Sequence, residues 1–187
     1  HARRAAAFIG PSVHATTYNE LPAYASRLLL CVPDAALQAV AAQLPLTNGI
    51  VLHTCGARGP EALDSLAARG VCCGTFHPLQ TIATAAKGVA VLRGAAFAIS
   101  GSPAALDWAE QIAHLLRGRV LRIRPALRPL YHAAAVMASN YVAALISAAQ
   151  TMIEAAGVDP TESLQALAPL VTASSANVLE LGPAAAL

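Results

Sequence analysis

Up to about Arg124 the chain alternates short apolar runs with stretches of helical periodicity, and after Pro125 the runs cease. That alternation limits the possible folds more than any other feature. Residues 27–32 read as a strand ending at Pro33-Asp34, followed by a helix over 35–44. A second strand spans 49–54 and a helix 61–69, and a third strand, 71–76, is stopped by His77-Pro78. Residues 96–100 and 120–123 are further strands, separated by a helix with Ser102 as N-cap and Pro103 at its first position. Strands and helices at this spacing predict a mostly parallel sheet with helices on both faces.

Residues 127–156 form one long helical pattern closed by Gly157. Asp159-Pro160-Thr161-Glu162 then supplies an N-cap, a proline at the first helical position and an acid three residues on. The helix it opens runs to about Leu181, before Gly182-Pro183, and Pro169 inside it predicts a kink or break. The expected architecture is an α/β domain over 1–124 followed by an all-α domain over 125–187.

The chain has 187 residues, 56% hydrophobic and only 12% charged, with much alanine in the apolar share. Such poverty of surface charge points to a covered face, and the alanine-rich C-terminal helices point to a homodimer. Aromatics are 4% and the formal net charge is +2, with no basic run alternating with aromatics, so a nucleic-acid platform is not expected. Cys31, Cys55, Cys72 and Cys73 make no C-x-x-C pair and read as small buried hydrophobes in a reducing compartment; Cys55 alone lies in a strand-to-helix loop. No secretory signal pattern is visible. The best membrane candidate, 133–149, is mostly alanine and carries Ser139, Asn140 and Ser147, so a buried or dimer-facing helix and a soluble cytoplasmic protein are expected.

Chemistry-bearing residues gather in three places. Tyr131-His132 and Ser139-Asn140 interrupt an otherwise bland helix, and at 100° per residue His132 and Ser139 fall almost on one line. His53-Thr54-Cys55-Gly56 and His77-Pro78-Leu79-Gln80 fall at strand ends, the edge where open α/β sheets bind ligands. These segments are expected to converge on one cleft, with the helical domain as its other wall. His132 is the candidate proton donor, because imidazole titrates near neutrality. His77, held extended by the following proline, is a second candidate, with Ser139 and Asn140 orienting the substrate or fixing a tautomer. Gln80, Tyr131 and Arg128 are candidate substrate contacts; Tyr131 is alternatively a proton donor or a packed aromatic, and Arg128 alternatively a bridge between the domains. Cys55 as a thiol nucleophile with His77 as base has no spacing rule behind it. For each histidine the plainer reading is a structural one, with the ring satisfied inside the fold.

The motifs Leu29-Leu30-Cys31-Val32-Pro33-Asp34, His53-Thr54-Cys55-Gly56, His77-Pro78-Leu79-Gln80-Thr81, Leu130-Tyr131-His132 and Ala138-Ser139-Asn140-Tyr141 together resemble a specific family. It comprises Rossmann-like proteins with a C-terminal domain of unknown function 2520, related to pyrroline-5-carboxylate reductase and the 6-phosphogluconate dehydrogenase group. The resemblance runs over nearly the whole chain. It implies an NADP- or NAD-binding domain, truncated at its N-terminus, joined to a helical substrate and dimerisation domain truncated at its C-terminus. The family opens with a strand and a Gly-x-Gly-x-x-Gly turn, which does not precede His1 in this sequence. On this reading Val32, Pro33 and Asp34 pack against the ribose and nicotinamide, although Asp34 would also cap the next helix. His53 and Thr54 border the cofactor, and Arg3 and Arg4 are placed to pair with a 2′-phosphate if a strand pair precedes them.

Three functions compete. The first is an NAD(P)-dependent oxidoreductase acting on a small polar carbonyl, imine or hydroxy substrate. The second is a non-catalytic dimeric nucleotide-binding module. The third is a metal-dependent hydrolase using His53, His77 and His132, although no His-x-x-x-His or acidic partner accompanies them, and no metal is expected.

Overall fold

The computed structural model describes residues 2–186. They divide into two compact units, up to Ala133 and from Ala134. In the first, α1 (Ala2–Ile9) and α2 (Leu21–Tyr24) precede β1 (Arg27–Leu30), α3 (Leu37–Gln43), β2 (Ile50–His53), α4 (Asp64–Ala67) and β3 (Cys72–Leu79). Then follow α5 (Ala85–Val91), β4 (Ala96–Gly101), α6 (Pro103–Leu115), β5 (Arg119–Arg122) and the start of α7 (Arg128–Val136). The five strands make one sheet in the order β1-β2-β3-β4-β5. All neighbours are parallel except β3 and β4. The mostly parallel α/β sheet expected from the alternation is therefore present.

Strand alternation builds a core on each face. Val51 and Cys73 point to one side, with Leu30, Leu37, Leu63 and Leu66. Leu52, Phe76, Phe97 and Ile99 point to the other, against Ala105, Ala109 and Ala113 of α6. Those alanines recur every four residues, so α6 presents a flat stripe to the sheet. At the contact Gly74 has no room for a side chain, since a Cβ there would stand 2.8 Å from Ala105 Cβ. Phe76 stacks on Phe97 with ring centroids 4.5 Å apart. Each large side chain so buried contributes about 1.5–3 kcal/mol.

Three local expectations need correction. β3 does not stop at His77-Pro78 but runs through both, pairing His77 with Ala98 and Pro78 with Phe97 of β4. The proline is tolerated because β2 ends at His53, opposite Thr75. Past that point β3 has a free edge, and Pro78 has no ladder bond to lose there. Ser102 stands at the N-cap of α6, but its hydroxyl makes no cap hydrogen bond and is buried without a partner. Asp34 opens a 3₁₀ turn, Asp34–Ala36, rather than capping the helix with its side chain.

The second unit contains a π-helical turn, Met137–Tyr141, then α8 (Val142–Ala155) and α9 (Pro160–Leu181). The Asp159 carboxylate accepts from Thr161 N at 2.8 Å and caps α9, while Pro169 is accommodated inside that helix without ending it. Gln150 of α8 donates to Ser163 Oγ of α9 at 2.9 Å, and Ser163 is the buried residue of that helix. The helical run Pro125–Ala155 is long and apolar enough to cross a membrane by length and composition, with hydropathy 1.3. None of that apolar window is buried within the chain, so it is not the core helix that was one expectation.

Candidate functional site

The carboxyl ends of β2 and β3, and the first turn of α7, meet at one edge of the sheet. Period-two alternation places Thr75 and His77 on the same side of β3, and Thr75 pairs with His53 on β2 and Ser100 on β4. Arg128 enters from α7 and is only 1% exposed. Its Nη1 donates to Thr75 Oγ1 at 2.9 Å and Ser100 Oγ at 3.1 Å, and Nη2 donates to the Cys55 carbonyl at 3.2 Å. Its Nε has no partner among the described residues. Arg128 was expected to touch substrate; instead, hydrogen bonds fasten its guanidinium to three segments of the fold.

That anchor sets the next turn of α7 over the sheet edge. Tyr131 Oη lies 2.7 Å from His77 Nδ1, with the rings edge to face. His132 approaches His77 with centroids 6.3 Å apart, again edge to face. Beneath both is Gly56. A Cβ there would stand 2.6 Å from His77 Nε2 and 2.7 Å from His132 Nδ1. Only glycine lets the two imidazole edges come so close to the loop backbone. His132 Nδ1 is buried with no hydrogen-bond partner among the described residues. Burial, the Arg128 charge and His132 lower the His77 pKa to about 4, so the ring is neutral at physiological pH. Burial raises the Tyr131 phenol, and the neighbouring Arg128 opposes that rise.

His53 is differently placed. It is fully buried; its Nε2–H donates to the Gly59 carbonyl at 2.9 Å, and Cys55 N donates to its Nδ1 at 3.2 Å. Both ring nitrogens are spent on the β2–α4 loop, so the ring has none left for a cofactor or metal, which removes it from both expected roles. The Cys55 thiol is buried and pushed up by burial and by Asp34, the opposite of an activated thiolate. Among the described residues no group of three or more histidine, cysteine or acidic side chains could hold a metal ion.

The remaining predicted residues are scattered. Half-buried Val32 packs on one core, and exposed Pro33 and Asp34 follow β1. Thr54 donates to the Leu30 carbonyl at 3.4 Å, tying the ends of β2 and β1 together. Gln80 is exposed; its Oε1 accepts from Thr81 N at 2.9 Å. Arg3 and Arg4 are exposed on α1. Ser139 and Asn140 belong to the second unit, in its π turn, where Ser139 Oγ donates to the Ala135 carbonyl at 2.8 Å. The reading of the sequence missed Thr75 and Ser100, which hold Arg128. The signal for Thr75 was its position two residues before His77; nothing in the sequence pointed to Ser100.

Residues 2–78 match the profile of a Rossmann-like domain, and residues 95–187 match that of a domain of unknown function, DUF2520. Among solved structures, a protein from Thermotoga maritima is 21% identical, with TM-score 0.71 over 86% of this chain and 61% of its own. Pyrroline carboxylate reductase from Plasmodium falciparum, solved with NADP bound, is 14% identical, with TM-score 0.62 over 91% and 66%. A reductive aminase from Aspergillus terreus, in complex with NADPH and ethyl-5-oxohexanoate, is 22% identical, with TM-score 0.66 over 96% and 64%. At these identities the likeness is one of fold. The chain spans about three fifths of the length of the first solved structures it matches. No curated protein sequence matches it. Over 2–78 and 95–187, the chain is a Rossmann-like domain followed by a DUF2520 domain.

Proposed function

We propose that this chain works as an NADP(H)-dependent oxidoreductase on a small polar carbonyl, imine or hydroxy compound. One observation carries the reading. A half-buried cluster of His77, Tyr131 and His132 stands at the carboxyl edge of a Rossmann-like sheet, with His132 Nδ1 buried over a glycine floor and unpartnered among the described residues. Such sheets bind their ligands at that edge. The NADP and NADPH complexes among the structural neighbours support the choice of cofactor.

The residues present fit such a ligand. Exposed Pro33 and Asp34 and half-buried Val32 and Thr54, after β1 and β2, would border it. Arg3 and Arg4 stay in the reading as partners for a 2′-phosphate. The bound nicotinamide would supply or accept a hydride equivalent. The chain's own task is the proton: His77 is neutral and can donate or accept at Nε2, and His132 Nδ1 offers a second polar contact beside it. Thr75, Ser100 and the Cys55 carbonyl hold Arg128, and Arg128 in turn positions the α7 turn that carries Tyr131 and His132.

A homodimer in the cytoplasm completes the proposal. The second unit exposes Leu145 (70%), Met152 (72%), Leu170 (64%) and Leu179 (87%), an apolar surface that a second copy would cover. The test is fluorescence titration of the full-length protein with NADPH and NADH. Micromolar binding of NADPH is expected. Binding of neither nucleotide would overturn the oxidoreductase reading and leave the non-catalytic dimeric module.

A further inference from the structure

No acid accepts a hydrogen bond from Arg128. Its acceptors are two hydroxyls and a carbonyl, all neutral, and its side chain is 1% exposed. A buried cation hydrogen-bonded only to neutral groups is held at a cost in desolvation. Of the groups whose negative charge acts on it, Tyr131 acts most strongly, ahead of Cys55 and Glu61, and its ring centroid lies 5.9 Å from the guanidinium carbon. The Tyr131 hydroxyl meets His77 Nδ1 at 2.7 Å, while His77 Nε2 stands over Gly56 next to His132 Nδ1. A buried cation, a phenol, an imidazole and the His132 Nδ1, unpartnered among the described residues, thus follow one another within the first unit.

Resting on the oxidoreductase reading, we infer that Tyr131 and His77 form a proton relay. It delivers a proton from His77 Nε2 to a carbonyl oxygen or imine nitrogen lodged beside that nitrogen, with Arg128 as the fixed cation beside the Tyr131 phenolate. At rest the Tyr131 O–H donates to Nδ1, so the neutral imidazole carries its own hydrogen on Nε2. In the forward step the Nε2–H bond breaks as that proton bonds to the substrate heteroatom. The Tyr131 O–H bond breaks as its proton bonds to Nδ1. The imidazole stays neutral with its tautomer exchanged, and the charge appears on the phenolate beside Arg128. Solvent then protonates Nε2, and Nδ1 returns its proton to the phenolate. The hydride equivalent at the substrate carbon is that of the reduced nicotinamide already proposed. His132 Nδ1 serves as a positioning contact for the accepting atom.

The neighbours favour this division of labour. Arg128, His132 and His53 all disfavour a positive charge on His77, and Asp34 opposes them more weakly than Arg128 and His132. An imidazolium is therefore a poor intermediate, and a relay that keeps the ring neutral avoids it. Arg128 in turn favours the phenolate that the relay needs.

The test is nitrogen NMR on full-length protein labelled with 15N-histidine. His77 is expected as the Nε2–H tautomer, neutral at pH 6. Tyr131→Phe should shift its Nδ1 signal and leave His53 unmoved. Ultraviolet titration of the phenolate, wild type against Tyr131→Phe, isolates the Tyr131 ionisation. Arg128→Met should raise that pKa by about one unit or more, and Arg128→Lys should restore most of the shift. Should Arg128→Met fail to fold, the tautomer and the lysine variant still decide. An Nδ1–H tautomer, or a Tyr131 ionisation indifferent to the charge at residue 128, overturns the relay. NADPH titration of the same samples separates the two ideas. Binding together with the Nδ1–H tautomer sinks the relay alone. The Nε2–H tautomer without binding of NADPH or NADH sinks the oxidoreductase reading and with it the substrate end of the relay.

Discussion

His53 and His77 stand on neighbouring parallel strands two register positions apart, since His53 pairs with Thr75, and yet they are opposite kinds of histidine. His53 is sealed, both nitrogens bonded to the backbone of its own loop. His77 is half-buried, with one nitrogen on Tyr131 and the other over Gly56 next to His132 Nδ1. The difference comes from strand length. β2 ends at His53, and the chain folds back over the ring; β3 runs past its neighbour, so His77 sits on a ledge between α7 and Gly56 of the β2–α4 loop. A sealed histidine holds the fold together, and a ledge histidine is free to do chemistry.

The largest effect should therefore come from the sealed residue. His53→Ala strands the Gly59 carbonyl and the Cys55 N–H in a dry interior. At about 1–3 kcal/mol for each orphaned group, plus the cavity, the loss should be about 3–5 kcal/mol. Urea unfolding measures it directly. A loss below about 1 kcal/mol would show that the loop simply closes over the gap, and the contrast with His77 would collapse.

Gly56→Ala attacks the ledge from below. Its methyl would stand within 3 Å of both His77 Nε2 and His132 Nδ1, so both rings must move. Overpacking of this kind costs about 1–3 kcal/mol. Displacement of both histidine signals in the NMR spectrum, with the His53 signal unchanged, is the expected result. Undisturbed His77 and His132 signals would mean that the two edges are not packed against the loop at all.

Much of this was legible in the sequence, for identifiable reasons. Alternation of apolar runs and helical stretches gave the α/β layout, because the periods of 2 and 3.6 leave different marks on a sequence. The meeting of the 53–56 loop with His77, Tyr131 and His132 followed from the rule about carboxyl edges, whereas Gln80, expected in the same cleft, is exposed and bonded to Thr81 N. Which histidine is sealed was not legible. That depends on where β2 stops relative to β3, a register property to which His53-Thr54 and His77-Pro78 contribute equally ambiguous strand-end signals. Pro78 was misleading, since a proline reads as a terminator unless the strand beside it has already ended. The burial of Arg128 was equally hidden, because its acceptors Thr75, Ser100 and Cys55 come from three separate stretches of sequence.

Tyr131→Phe removes one hydrogen bond between half-buried partners and should cost about 1 kcal/mol at most, since His77 Nδ1 is close enough to solvent to find a water. Its main consequence is chemical: any substrate turned over by the wild type should lose kcat with little change in KM. A rise in KM alone would make Tyr131 a binding residue, as first expected from the sequence.

The smallest effect at neutral pH, and the sharpest discriminator, is expected from His77→Asn. In the folded state burial and Arg128 hold His77 near pKa 4, while in the unfolded chain it titrates near its ordinary 6.5. Between those values the unfolded state binds more protons. The contribution to stability is thus complete above pH 6.5 and is lost as pH falls toward 4. His53 is shifted in the same direction, chiefly by burial, and adds to the same acid sensitivity. Replacing His77 by asparagine should change stability at pH 7 by under about 1 kcal/mol, yet flatten its decline between pH 7 and pH 5. Urea midpoints at the two pH values read this out. An unaltered decline in His77→Asn would assign the acid sensitivity to His53, the sealed ring, and would show that His77 titrates as an ordinary exposed histidine, too well solvated to be kept neutral for proton transfer.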